Sequence, residues 1–362
     1  MVPSLQDNVN TSWGGNIIED ADGRFHMFVN AIANHCLLGA WMRNSRIDHV
    51  ISDTISGPYH YQDTAVPMWS SNPAPLVLPR GAAYKYAIFH IGNGSAKPGP
   101  AQHCFVNNGS RVPPSVADGV GNKATASGSP IGRVRTESAA DGKARALYSN
   151  GISVSNSLGG PWQLLADNTL PPCNNPAPWV HPNGTLYALC DSDIYRAHAV
   201  VGPWLKVSSI WNPTSSRQRP KTWHYEDAFL FTTRRGWHAL FHAGVRDNST
   251  AAGHDCSHAT VSAHMFSLDG FEWHASAISP YGTQVEVLQD EAGAERAGKR
   301  AITVATRERP KLRFNSAGEI THLINGVCGA PSCTDSPRTG CMDCKYGSWD
   351  FTLIQALDTA SD

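Results

Sequence analysis

Five short stretches of the chain open on polar residues or glycine and run at once into apolar ones. They are Gly15-Asn16-Ile17-Ile18, Asn72-Pro73-Ala74-Pro75, Asn175-Pro176-Ala177-Pro178, Glu226-Asp227-Ala228-Phe229 and Glu308-Arg309-Pro310-Lys311. Carboxyl groups can move protons to and from hydroxyl oxygens, and amides and guanidinium groups hydrogen-bond polyhydroxylated ligands. Glu226, Asp227 and Glu308 are therefore candidate acid–base residues, and Asn16, Asn72, Asn175 and Arg309 candidate binding residues. Adjacent residues of a strand point to opposite faces, so only one of Glu226 and Asp227 faces a given pocket unless a bulge intervenes. His90 and His242 end strands that follow two of these openings, and Asp191 and Asp193 occupy a short loop. Trp13, Trp41 and Trp223 offer flat apolar faces on which a sugar ring can stack. Each candidate also has a plainer role. Glu308 and Arg309 can be a structural ion pair, a strand-end His a hydrogen-bonded wall residue, and a Trp packing.

The elements that carry these residues repeat. Each opening leads to a turn: Ala21-Asp22-Gly23, Pro79-Arg80-Gly81, His181-Pro182-Asn183-Gly184, Arg234-Arg235-Gly236 and Ser316-Ala317-Gly318. Asn-Gly and Asp-Gly mark hairpins. A second echo, Ser56-Gly57-Pro58-Tyr59, Gly159-Gly160-Pro161-Trp162 and Val201-Gly202-Pro203-Trp204, marks the turn between a third and a fourth strand, and Asp269-Gly270-Phe271-Glu272-Trp273 is a looser copy. Five copies of a four-stranded meander predict an all-β, five-bladed β-propeller of four-stranded antiparallel blades. A strand near the N-terminus is expected to close the ring, which removes a sheet edge. The alternative is a two-sheet sandwich, which has no reason to repeat one turn signature. The expected organisation is a single propeller with blades at about 13–64, 70–166, 172–208, 223–278 and 300–358. In such a ring the five openings converge at the axis, on the face that carries the long loops between second and third strands.

Composition narrows the partners. The chain has 362 residues, 16% charged residues and a formal charge of −1, which argues against nucleic acid or a membrane surface as partner. Nine cysteines and sequons at Asn10, Asn93, Asn108, Asn183 and Asn248 suit an oxidising, extracellular compartment. The opening Met1-Val2-Pro3-Ser4 has no signal-peptide pattern, so a secreted protein would have to be trimmed here. Cys173 and Cys190 flank one hairpin and are placed for a disulfide. Cys328, Cys333, Cys341 and Cys344 share one loop, as two disulfides or a zinc site, and His254, Asp255 and His258 form either a metal cluster or a solvated loop. The expectation is no metal and no cofactor, in a monomer.

At Glu226–Leu230 (Glu-Asp-x-Phe-Leu) and Arg307–Leu312 (Arg-Glu-Arg-Pro-x-Leu) the chain resembles the five-bladed propeller glycoside hydrolases of the family 43 and family 32 type. The resemblance runs along the whole chain through the hairpin repeat. It implies a carbohydrate substrate and three axial carboxylates: a base or nucleophile in blade one, an orienting Asp in blade three and a general-acid Glu in blade four. Glu226 stands at the acid's place. Gly15-Asn16 and Asn174-Asn175 stand where the other two are expected, and an amide cannot act as a base. The reading is thus a glycosidase with Glu226 as acid and Asp227 or Glu308 as base. Asp191 or Asp193 would replace the missing Asp. The alternatives are a propeller that binds sugar without cleaving it and, third, a protein-interaction propeller.

Overall fold

The computed structural model describes residues 11–34, 36, 38–92, 94, 106–107, 110–111, 150–165, 169–210, 223–245, 261–289, 298–304, 306–328 and 350–357. They form a five-bladed β-propeller with antiparallel neighbours throughout. The first sheet is β1 (Thr11–Glu19), β2 (Phe25–Ile32), β3 (Ser45–Ser52) and β4 (His60–Val66) in sequential order. The second is β5 (Ser70–Val77), β6 (Tyr86–Gly92), then β9 (Asn150–Ser155) and β10 (Gln163–Leu164). A small hairpin of β7 (Val106–Asn107) and β8 (Ser110–Arg111) falls between β6 and β9. The third sheet is β11 (Ala177–Val180), β12 (Leu186–Cys190), β13 (Asp193–Ala197) and β14 (Leu205–Ser209). The fourth is β15 (Trp223–Thr233), β16 (Gly236–Val245), β17 (Val261–Ser267) and β18 (His274–Ala275). A separate pair, β19 (Gln284–Gln289) and β20 (Gly298–Thr303), precedes the fifth sheet of β21 (Thr306–Phe314), β22 (Ile320–Cys328) and β23 (Asp350–Ala356).

Strand alternation explains the packing. Successive residues of a strand face opposite sides of the sheet, so a blade between two others buries both. On β6, Ile88 packs with Phe28 and Ile47 of the first blade, while its neighbour Phe89 packs with Leu186 and Ala188 of the third. Leu189 turns the other way, toward Leu230 and Phe241 of the fourth blade. Phe231 meets Leu312 and Leu323, and Ile324 meets Ile17 and Met27, which brings the fifth blade back to the first. Each such side chain contributes roughly 1.5–3 kcal/mol when fully buried.

The fifth sheet has three strands among the described residues. The expected ring-closing strand would come from residues before Thr11, which lie outside them; β1 is the inner strand of blade one. The seam is held by Thr352 N–H donating to Ser12 Oγ (3.0 Å) and Arg309 Nη1 donating to the Trp13 carbonyl (3.3 Å). Cys173 and Cys190 form a disulfide. Cys333, Cys341 and Cys344, the side chain of Cys328, the His254, Asp255 and His258 group, and every sequon except Asn183 lie outside the described residues; Asn183 is exposed in a hairpin turn. No described helix is long and apolar enough to cross a membrane.

Candidate functional site

The inner strands share a local irregularity. Register shifts fall between Ser12 and Gly15, Ser71 and Ala74, Glu226 and Phe229, and Glu308 and Lys311. Within each, one residue adopts the left-handed region: Gly14 (φ 70°), Asn72 (55°), Asp227 (56°) and Arg309 (53°). Asn175 (54°) does the same just ahead of β11. Gly, Asn and Asp tolerate this conformation, whereas Arg309 adopts it against its intrinsic preference. The bulges turn these residues into one ring about the axis. Asn72 Nδ2 donates to Asn175 Oδ1 (2.6 Å) and Asp227 Oδ1 (3.2 Å). Arg309 Nε lies 3.9 Å from Asp227 Oδ1, and a Cβ placed on Gly14 would come within 3.2 Å of the Arg309 side chain.

A second set surrounds this ring. Glu226 and Glu308 each immediately precede the left-handed residue of their blade. Asn174 Nδ2 donates to Glu226 Oε1 (3.1 Å). His242, opposite Glu226 in the β15–β16 register, places Nδ1 3.9 Å from Asp227 Oδ2 and Nε2 4.0 Å from Glu308 Oε1. Among the described residues neither nitrogen of this buried ring has a hydrogen-bond partner. One ligand atom from each of Asp227, His242 and Glu308 lies within 4.8 Å of the others, a nitrogen-and-oxygen set able to hold a divalent cation. Burial pushes the Asp227 carboxyl up to about 6. Arg309 opposes that rise, while Glu226 and Glu308 add to it. The arrangement can therefore offer a proton, a carboxylate base and a buried positive charge within one cluster.

No family model and no curated protein matches this chain. Solved structures do. A protein of unknown function from Dyadobacter fermentans aligns with 98% of this chain over 98% of its own length, at 9% identity and a TM-score of 0.51. CoXyl43, a β-xylosidase/α-arabinofuranosidase of family 43 from a compost metagenome, solved with xylotriose, aligns with 100% of this chain over 95% of its own, at 10% identity and a TM-score of 0.50. The shared property is the fold.

Within this propeller the sequence candidates separate into groups. Glu226, Asp227, Glu308, Arg309, Asn72, Asn175 and His242 come together. The bulge brings Asp227 to the axis beside Glu226, so simple alternation does not apply there. Asn16 does not join the ring. Gly14 holds the blade-one position, and Asn16, two residues on, lies one layer further along the axis, its Oδ1 accepting Ile17 N–H (2.9 Å). Asp191 accepts from Asn174 N–H (3.3 Å), and burial raises its carboxyl with Glu226 and Asp193 adding to the effect. Asp193 is drawn instead to Lys206 (2.8 Å) on β14. His90 is a wall residue. Nε2 meets Ser153 Oγ (3.0 Å), Nδ1 meets the Ile91 carbonyl (3.3 Å), and burial holds the ring down at about 4. Trp13 is 1% exposed and packs on Ile32 and Leu38; Trp41 leans on Trp69. The Trp223 side chain lies outside the described residues.

Three contributors stand outside the candidate residues drawn from the sequence. Asn174 anchors Glu226. Lys311, buried two residues past Arg309, is held down at about 8 by burial, against the pull of Asp227. Arg307 buttresses the site from behind. Its Nε donates to Asn325 Oδ1 (2.9 Å), and Asn325 Nδ2 donates to the Glu308 carbonyl (3.1 Å). The Arg-Glu-Arg-Pro-x-Leu pattern contains both Arg307 and Lys311 and was the available signal.

Proposed function

We propose that the protein is a glycoside hydrolase that binds its sugar over the axial ring, with Glu226 as general acid and Glu308 as the opposing carboxylate. The supporting observation is that these two glutamates occupy the same bulge position in successive blades and flank one buried carboxylate, Asp227. Glycosidic cleavage needs a proton for the leaving oxygen and a second carboxylate that attacks the sugar or activates water. Glu308 is 27% exposed and so within reach of a ligand; Asp227, 5% exposed and tied to Asn72, is suited to tuning its neighbours. The disulfide accords with a secreted protein.

The test is a polysaccharide digestion screen, followed by Glu226→Gln and Glu308→Gln on the substrate found. Each change should lower kcat by about 10²–10⁴-fold. Glu226→Gln should lose far less on an aryl glycoside with a good leaving group, which needs no protonation. Undiminished hydrolysis by Glu226→Gln removes it as the acid.

One observation favours the runner-up, a propeller that binds sugar without cleaving it. Asn72 and Asn175 fill two of the five ring positions with amides, which hydrogen-bond hydroxyls but supply no base. Glycan-array binding with no hydrolysis of the bound glycan would select that reading.

A further inference from the structure

Two residues beyond the left-handed ring, the inner strands contribute a second ring: Asn16, Ala74, Ala177, Phe229 and Lys311. Ala74 and Ala177 are too small to meet across the axis. They leave a cavity of about 230 Å³ that extends past Trp179 toward the hairpin turns. Its walls are apolar apart from the ends of a few side chains.

Lys311 lines this cavity and is 3% exposed. An ammonium has three donors. Among the described residues Nζ makes one hydrogen bond, to the carbonyl of its neighbour Pro310 (3.3 Å), and no ion pair. Asp227 attracts the ammonium without pairing with it and lies 3.9 Å from Arg309 Nε, and Glu19, on the cavity wall, pairs with Arg313 Nη2 (2.5 Å). Asn16 also lines the cavity, and with its oxygen accepting Ile17 N–H its NH₂ group is available to donate. A buried ammonium with unfilled donors, 6.0 Å from the Phe229 ring centroid and attracted by Asp227 alone, is stabilised by a nearer counter-charge. The polar atoms offered by Lys311 and Asn16 are donors, which suits an anion and not a cation.

We propose that this cavity binds a small monovalent inorganic anion, a halide being the fitting size and charge, between the Lys311 ammonium and the Asn16 amide. A halide accepts hydrogen bonds from any direction and is weakly hydrated, so two donors in an apolar cavity suffice. Binding requires the ammonium form. With Lys311 at about 8, affinity falls as pH rises past that value and is about tenfold weaker at pH 9 than at pH 7.

The test uses the whole chain and bromide as probe. At fixed ionic strength, replacing gluconate by bromide should raise Tm saturably at pH 7. The rise should be lost in Lys311→Met, which keeps the length and removes the charge. Crystals soaked in bromide should show an anomalous peak in the cavity, in contact with Nζ. An equal rise in Lys311→Met, or wild-type crystals with no such peak, overturns the proposal. If Lys311→Met does not fold, the wild-type diffraction decides alone. Neither readout requires that the protein cleave sugar, so this inference and the proposed activity stand or fall separately.

Discussion

Asp227 sits between opposing influences. Burial, Glu226 and Glu308 favour its neutral form, while Arg309 and His242 favour the charged one. The net result is a carboxyl raised from 3.8 to about 6, and the sign of its effect on stability follows. The folded protein holds the proton more tightly than the unfolded chain, so this contribution is complete below about pH 4 and is lost as pH rises through about 6. Asp227→Asn should remove that part of the pH dependence. Urea midpoints measured from pH 4 to 7 check this, and a mutant curve parallel to wild type would count against it. Residue identities were the most legible part of the site. Glu226, Asp227, Glu308 and Arg309 announce themselves as charges at the head of apolar runs. Their placement was less legible, because one extra residue in a bulge moves Gly14 into the ring and Asn16 out of it. Lys311 was hidden by standing where the pattern calls for an apolar residue.

At the scale of the element, the seam between blades one and five depends on a missing side chain. A Cβ on Gly326 of β22 would come 2.8 Å from the Trp13 ring and 3.1 Å from the Gly14 nitrogen. Gly326→Ala should cost roughly 1–3 kcal/mol through overpacking and should disturb the Arg309 contact with Trp13. Denaturation midpoints give the first effect, and reduced turnover in the proposed hydrolysis the second. The hairpins themselves could be read directly, since Ala21-Asp22-Gly23 and Ser316-Ala317-Gly318 place glycine at φ 80° and 79° where the chain reverses. The bulges carry a fainter mark. Four of the five left-handed positions are Gly, Asn or Asp, and the fifth, Arg309, breaks the pattern. The β19–β20 pair belongs to no repeat, so nothing in the periodicity announced it.

For the whole molecule, five inter-blade cores close the ring, and the third blade has an added covalent tie. The disulfide between Cys173 and Cys190 spans 17 residues and fixes the approach to β11 against the end of β12. In the chain-entropy account a loop of this size is worth about 3 kcal/mol. Cys173→Ser with Cys190→Ser should lower the urea midpoint accordingly; an unchanged midpoint would mean that other contacts already restrain this loop. The architecture was legible as a whole because a fivefold repeat averages out local ambiguity, whereas the site depends on single positions that no repeat averages. The same bulge recurs in every blade except the third, whose Asn175 reaches the left-handed region without it. In blades two, four and five it turns the side chains of Asn72, Asp227 and Arg309 toward the axis. Asn72, Asn175 and Asp227 thus stand outside the apolar cores between blades, so that replacing one of them leaves those walls in place. What the axis holds can therefore change without rebuilding the scaffold.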